Sequence, residues 1–218
     1  MTRTIVYIDG FNLYYRALKG TSHRWMNIAA LSEAVLPKTN KVVRVNYYTA
    51  RISGRIDPTE PARQHIYLRA LSSLPAVKLH YGKFLVSQKW AGLVPPPEFR
   101  PPFVLPAGAT PAVAYVWKTE EKGSDVNLAT HLVRDAFTGA FDEAAILTND
   151  TDLVEPVRIV TREVGLPVTL LTPSNKPADG LMRVASHVRH ITPYLGACHL
   201  PDPVILPNGK IVPKPPHW

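Results

Sequence analysis

The chain is predicted to adopt an α/β fold, a mainly parallel sheet flanked by helices, on three observations. Strand and helix signals alternate along its length. The strand Thr4–Ile8 is nearly all apolar, as a strand covered on both faces must be. Two strands run straight into aspartates, at Asp9 and at Asp150 and Asp152, which places carboxylates at the carboxyl edge of a sheet.

In order, Thr4–Ile8 is the first strand and a helix follows from about Asn12 to Lys19-Gly20, where glycine provides a stop. Ile28–Leu36 forms a second helix that ends before Pro37. Lys41–Ala50 alternates and is rich in Val and Tyr, so it reads as a strand. Pro61–Leu74 is helical with a proline in its first turn. Val77–Val86 reads as one continuous strand. Seven prolines between Pro95 and Pro111 exclude regular structure there, so residues 91–113 form a Pro-rich insertion. Order resumes with a helix at Ser124–Phe137, a strand at Ala144–Leu147 and a helix at Leu153–Val164. A strand at Val168–Leu171, a short helix at Gly180–Ala185 and a last strand at His190–Thr192 complete the pattern. Residues 1–200 thus read as one domain. Residues 201–218, with six prolines, read as an extended tail that is mobile or docks elsewhere.

The 218 residues carry 25 Lys and Arg against 17 Asp and Glu, a formal charge of +8. That excess suits a polyanionic partner. The single cysteine, Cys198, forms no intrachain disulfide, and no Cys/His metal spacing exists. Neither GxxxxGK[ST] nor GxGxxG occurs, which disfavours nucleoside triphosphates and dinucleotides as cofactors. No stretch approaches the roughly 18 apolar residues of a membrane span, and a soluble cytoplasmic protein is expected.

The chemistry concentrates in four carboxylates from three segments: Asp9, Asp125, Asp150 and Asp152. Clustered carboxylates repel one another unless a cation lies between them, and magnesium or manganese (Mg2+ or Mn2+) prefers such oxygen ligands. Taken singly, Asp9 serves equally as a helix cap, and Asp125 as an ordinary first-turn acid. Around them, Asn12 orients a ligand or caps a helix. Lys122, Gly123 and Ser124 offer a cation, a turn and a hydroxyl at a helix start. Candidate phosphate contacts are Arg16, Lys19, Arg24, Arg51, Arg55, Lys83, Lys118 and Lys122, and Phe11, Tyr14, Tyr15, Trp25 and Trp117 are candidates to stack on unpaired bases.

Three segments carry a family resemblance: Tyr7-Ile8-Asp9-Gly10-Phe11-Asn12-Leu13, Lys118–Asp125 with its Glu-Lys-Gly-Ser-Asp core, and Thr148-Asn149-Asp150-Thr151-Asp152-Leu153. Over roughly Thr4–Thr192 the chain resembles the NYN (LabA-like) branch of the PIN-like nucleases. The resemblance implies a Rossmann-like (PIN-like) fold and a magnesium- or manganese-dependent ribonuclease. It implies a catalytic set of Asp9, Asp125, Asp150 and Asp152, the first three as metal ligands and Asp152 as a ligand or an outer supporting acid, with Asn12 and Lys122 as substrate-positioning groups. Ser124, Asn149 and Arg51 complete the expected substrate contacts. Asn149 departs from the family pattern, which has a small residue, often glycine, before the first aspartate of the third motif. The expected partner is single-stranded RNA, with a homodimer as a possible assembly. The alternatives are a weakly active or inactive RNA-binding regulator, a DNA structure-specific nuclease, and a protein-interaction module using the Pro-rich segments.

Overall fold

Strand β1 (Thr2–Asp9) is buried on both faces from Thr4 onward, because its two sets of alternating side chains enter two different cores. The computed structural model describes residues 1–54, 59–95, 97–100, 102–109, 111–216 and 218. The expected phosphate contact Arg55, and Pro96 and Pro101 of the insertion, lie outside the described residues.

After β1 comes α1 (Gly10–Leu13), which widens into a π-helical stretch at Tyr14–Leu18. Helix α2 (Ile28–Val35), strand β2 (Asn40–Thr49), helix α3 (Glu60–Leu71) and strand β3 (Val77–Tyr81) follow. Strands β4 (Lys83–Gly92) and β5 (Val113–Lys122) lead to helix α4 (Ser124–Phe137) and strand β6 (Glu143–Leu147). Helix α5 (Val154–Arg158), strand β7 (Val168–Thr172), helix α6 (Asp179–Val184) and strand β8 (His187–His190) complete the main layers.

The central sheet has six strands in the order β3-β2-β1-β6-β7-β8, and every pairing is parallel. The chain leaves β1 in one direction to build β2 and β3, then returns to the other side of β1 for β6, β7 and β8. All carboxyl ends share one edge, and the direction of winding reverses between β1 and β6. Such a switch point opens a crevice in open α/β sheets. On one face Val6 and Ile8 pack with Leu31 and Val35 of α2 and Leu68 and Leu71 of α3. On the other, Ile5 and Tyr7 pack with Leu128 and Leu132 of α4, Val157 of α5 and Leu181 of α6.

Three expectations need correction. The strand read as Val77–Val86 breaks at Gly82: β3 stays in the sheet, while β4 leaves it and pairs antiparallel with β5. A side chain at Gly82 would stand 2.4 Å from Glu121 Oε1 and 2.6 Å from the Lys122 carbonyl, so only glycine admits the crossing of the two strands there. Strand β5 has no counterpart among the predicted elements because the ribbon is largely exposed, with no buried face to impose an apolar pattern. The last strand is His187–His190 and not His190–Thr192. As an edge strand with every residue exposed, it carries no apolar signature.

The Pro-rich tail docks. Strands β9 (Val204–Ile205) and β10 (Ile211–Val212) form a small hairpin that buries Val204 and Val212 in the first core. Trp218 packs edge-on to Trp25, with ring centroids 6.4 Å apart.

Candidate metal centre

The carboxylates converge where β1 and β6 end. Asp9 is the last residue of β1 and caps α1, with Oδ1 accepting from the Asn12 backbone N–H at 2.9 Å. Its Oδ2 accepts from Asn12 Nδ2 at 2.6 Å and from Thr148 Oγ1 at 3.2 Å. Asp150 follows β6 and caps the 3-10 turn Thr151–Leu153, its Oδ1 accepting from the Asp152 N–H at 3.0 Å. Asp125 comes from the far side of the crevice, in the first turn of α4. One carboxylate oxygen from each of Asp9, Asp125 and Asp150 lies within 4.8 Å of the others.

Such crowding has an electrostatic signature. The Asp125 carboxyl is pushed up to about 7 by burial and then by the charges of Asp9, Asp150, Glu121 and Asp152. Asp9, only 4% exposed, is also raised, chiefly by burial and further by Asp150, against the opposing hydrogen bonds from Asn12 and Thr148. A cation bound among the three oxygens would remove this strain. The donor set is all oxygen and partly open to solvent, as magnesium and manganese require.

A cavity of ≈ 300 Å³ opens over the acids and is walled by Phe11, Asn12, Tyr15, Phe84, Thr119 and Glu121. Glu121 escaped the sequence reading. Strand alternation could have found it, since β5 turns Thr119 and Glu121 to one face and Lys118, Glu120 and Lys122 to the other. The Glu121 carboxylate accepts from the Ser124 N–H at 3.0 Å and so fixes the start of α4, next to Asp125.

The other expected site residues are placed differently. Asn12 supports the centre: its Oδ1 accepts from Arg16 Nε at 2.9 Å and from the Asn149 N–H at 3.2 Å, tying the two strand ends together. Asp152 is exposed and stands outside the close group, though near enough to raise Asp125. Asn149 points to the loop after β7, donating to the Lys176 carbonyl at 3.3 Å and accepting from the Ala178 N–H at 2.8 Å. Lys122 extends from the opposite face of β5 and pairs with Glu120 at 3.1 Å. The Ser124 hydroxyl is buried without a hydrogen-bond partner among the described residues and does not line the cavity. Arg51 stacks over Tyr81, 5.4 Å from its centroid, in a separate cleft.

With this geometry established, comparison with known proteins places the chain. The NYN domain matches residues 103–192, the segment that holds Asp125, Asp150 and Asp152. A Pseudomonas putida protein named 6-hydroxy-3-succinoylpyridine 3-monooxygenase HspA is 31% identical over 242 residues, spanning 99% of this chain and 75% of that relative. The chain belongs to the NYN-domain family. NYN domains fall within the PIN-like nuclease superfamily. Asp9 and Asn12 lie outside the matched segment and reach the centre through the β1–β6 pairing. A crystal structure of a protein of unknown function from Vibrio parahaemolyticus shares the fold with a TM-score of 0.51 at 15% identity, covering 87% of this chain and 93% of that one. Among the described residues, no helix is long and apolar enough to cross a membrane.

Proposed function

We propose that this NYN-domain protein, in the LabA-like branch, is a magnesium- or manganese-dependent ribonuclease that hydrolyses phosphodiester bonds of single-stranded RNA. The convergence of Asp9, Asp125 and Asp150 oxygens within 4.8 Å at the sheet's switch point carries this reading. Asp9, Asp125 and Asp150 would hold a divalent ion, which when bound would supply positive charge for phosphoryl oxygens and for activation of water. The chain's own residues do the rest. Asn12 and Thr148 hold Asp9 in a fixed rotamer, and Asp150 is fixed through the turn it caps. Asp152, on the rim, is assigned an outer supporting role in the four-aspartate set.

A path for a single strand accompanies the centre. In the β4–β5 register, Phe84 lies opposite Glu121, Val86 opposite Thr119, Gln88 opposite Trp117 and Trp90 opposite Tyr115. These pairs share one ribbon face, so the face that walls the acid cavity continues outward as a row of exposed aromatic rings. Aromatic rows of this kind stack on unpaired bases without reading their sequence. Lysines at 83, 89, 118 and 122 lie on the opposite face, where Lys118 and Lys122 pair with Glu120, and add long-range positive charge that favours approach of a polyanion.

The test is cleavage of labelled single-stranded and duplex RNA and DNA with Mg2+, Mn2+ or EDTA, comparing wild type with Asp150→Asn. Metal-dependent cutting of single-stranded RNA that the variant loses supports the assignment. Binding without cutting under every metal would move the protein to an RNA-binding regulatory role.

The relative's name supports a second reading, oxygenation of a small heteroaromatic acid, because its similarity extends over 99% of the chain. Incubation with 6-hydroxy-3-succinoylpyridine, dioxygen and an electron donor, with product detection by mass spectrometry, decides between the two.

A further inference from the structure

Beside the acid cavity, and sharing Phe11 and Tyr15 with it, lies a second cavity of ≈ 340 Å³ that neither proposed reaction uses. Its walls are aromatic. Phe11 and Tyr15 stack at 6.3 Å with planes 16° apart, and Trp218 packs against Tyr67 at 5.7 Å. Tyr67 is locked by its hydroxyl donating to the Met26 carbonyl at 2.9 Å, so that wall is rigid. Tyr47 differs. It is 5% exposed and lines the cavity, yet its hydroxyl makes no hydrogen bond among the described residues. A Cβ at Gly10 would lie 2.7 Å from that hydroxyl, so the ring stays there only because residue 10 is glycine. Among the described residues that hydroxyl is not one of the closed-in polar groups left without a partner, so it stands open to the cavity as a donor or acceptor for whatever enters.

The charges on the wall specify the entrant further. Among the described residues, the charged groups lining the cavity are Lys19, Arg24, Arg63 and Glu60. Lys19 Nζ stands 4.8 Å over the Tyr15 ring, and Arg24 lies 5.7 Å from the Trp218 ring. Arg63 donates to Thr59 Oγ1 at 2.7 Å, which holds its guanidinium at the rim. The volume falls at the low end of the roughly 300–1,000 Å³ of ligand pockets, enough for one ring system with a side group.

We propose that this cavity is a binding site for a single planar heteroaromatic ring carrying an anionic group, the ring between the aromatic walls and the anion toward Lys19. Two sources share that chemistry: a nucleotide, free or within a strand entering the acid centre, and a free heteroaromatic carboxylic acid. The site stands on the cavity and not on either reading of the acid centre.

The test is titration of the full chain, in EDTA, with uridine and adenosine monophosphates, with pyridine-3-carboxylate, and with the uncharged counterparts uridine, adenosine and pyridine-3-carboxamide. Calorimetry and tryptophan fluorescence, sensitive to Trp218, give the affinities. The expected result is saturable binding in which the charged form exceeds its neutral counterpart by roughly tenfold. Tyr47→Phe, which deletes only the unpartnered hydroxyl, should weaken binding roughly threefold to tenfold without loss of folding. Lys19→Ala should weaken the charged ligands and leave the neutral ones unchanged. Binding confined to the nucleotides or confined to the carboxylate supports the site and names its source. No saturation by either class up to about 10 mM overturns the proposal, as do affinities unchanged in both variants. Saturable binding in a protein that cleaves nothing would remove the nuclease and leave this site in place.

Discussion

Replacing Asp150 with asparagine removes one of three negative charges while keeping the acceptor that organises its turn. Asn Oδ1 can still accept from the Asp152 N–H, now at 3.0 Å, so the cap survives. What disappears is repulsion. Two unit charges at 4.8 Å, the outer limit of the separations here, repel by about 1 kcal/mol with water-like screening and by about 3.5 kcal/mol at an effective dielectric of 20. Asp125 is half in solvent, which moves the figure toward the lower value. Without metal, the Asp125 carboxyl sits at about 7 against an ordinary 3.8. A raised carboxyl pKa means that the folded state favours the protonated form, so stability is greatest below 3.8 and declines as pH rises through about 7. Asp150→Asn should therefore bring the Asp125 pKa down and stabilise the metal-free protein at pH 8 by about 1 kcal/mol, roughly 2–4 °C in Tm for a chain of this size. The same variant should lose the stabilisation that Mg2+ or Mn2+ gives the wild type, together with cleavage. Thermal unfolding at pH 8 in EDTA and in each metal, beside a cleavage assay, reads all three. A variant less stable than wild type in EDTA, or one stabilised equally by metal, would refute the reasoning, because the charge would then be neither repelled nor ligating.

Other expectations follow from neighbouring contacts. Asn12→Ala removes the bonds to both Asp9 and the Asn149 N–H, and turnover should drop by roughly 10–100-fold with the fold retained; unchanged turnover would show that Asp9 needs no such support. Trp90→Ser with Tyr115→Ser removes two exposed rings, and fluorescence anisotropy should show affinity for single-stranded RNA falling at least about tenfold; wild-type affinity would mean that the strand does not run along the ribbon. His80 is held down at about 4 by burial and by the nearby His131, with Nε2 against Asn46 Oδ1 at 3.1 Å. A depressed folded pKa contributes stability above about 6.5 that is lost as pH falls through 4, so the urea midpoint of His80→Gln should gain on that of wild type from pH 7 to pH 4, the raised carboxyls of Asp9 and Asp125 acting alike in both. A constant difference between the two proteins would place the imidazole's role elsewhere. Lys122→Ala should weaken RNA binding slightly at low salt and not at all at high salt, leaving metal affinity unchanged, because the amine pairs with Glu120 away from the acids.

The chain's local patterns determined its layers and its acids. Thr4–Ile8 and Ala144–Leu147 are legible because buried parallel strands leave unbroken apolar runs, and Asp9, Asp125 and Asp150 are legible because each adjoins a strand end or helix start. Those signals depend on residues a few positions apart, and the sequence contains them directly. Whether three acids up to 141 positions apart meet depends on strand order, which is a property of long-range pairing. Only the tertiary structure set β6 beside β1 and turned Glu121 inward. It also drew Asn149 into loop bonding, placed Lys122 on the outer face and brought Trp218 against Trp25 and Tyr67. The exposed β4–β5 ribbon left no apolar rhythm in the sequence, because no core demanded one; its register came from the crossing at Gly82 and the ladder itself.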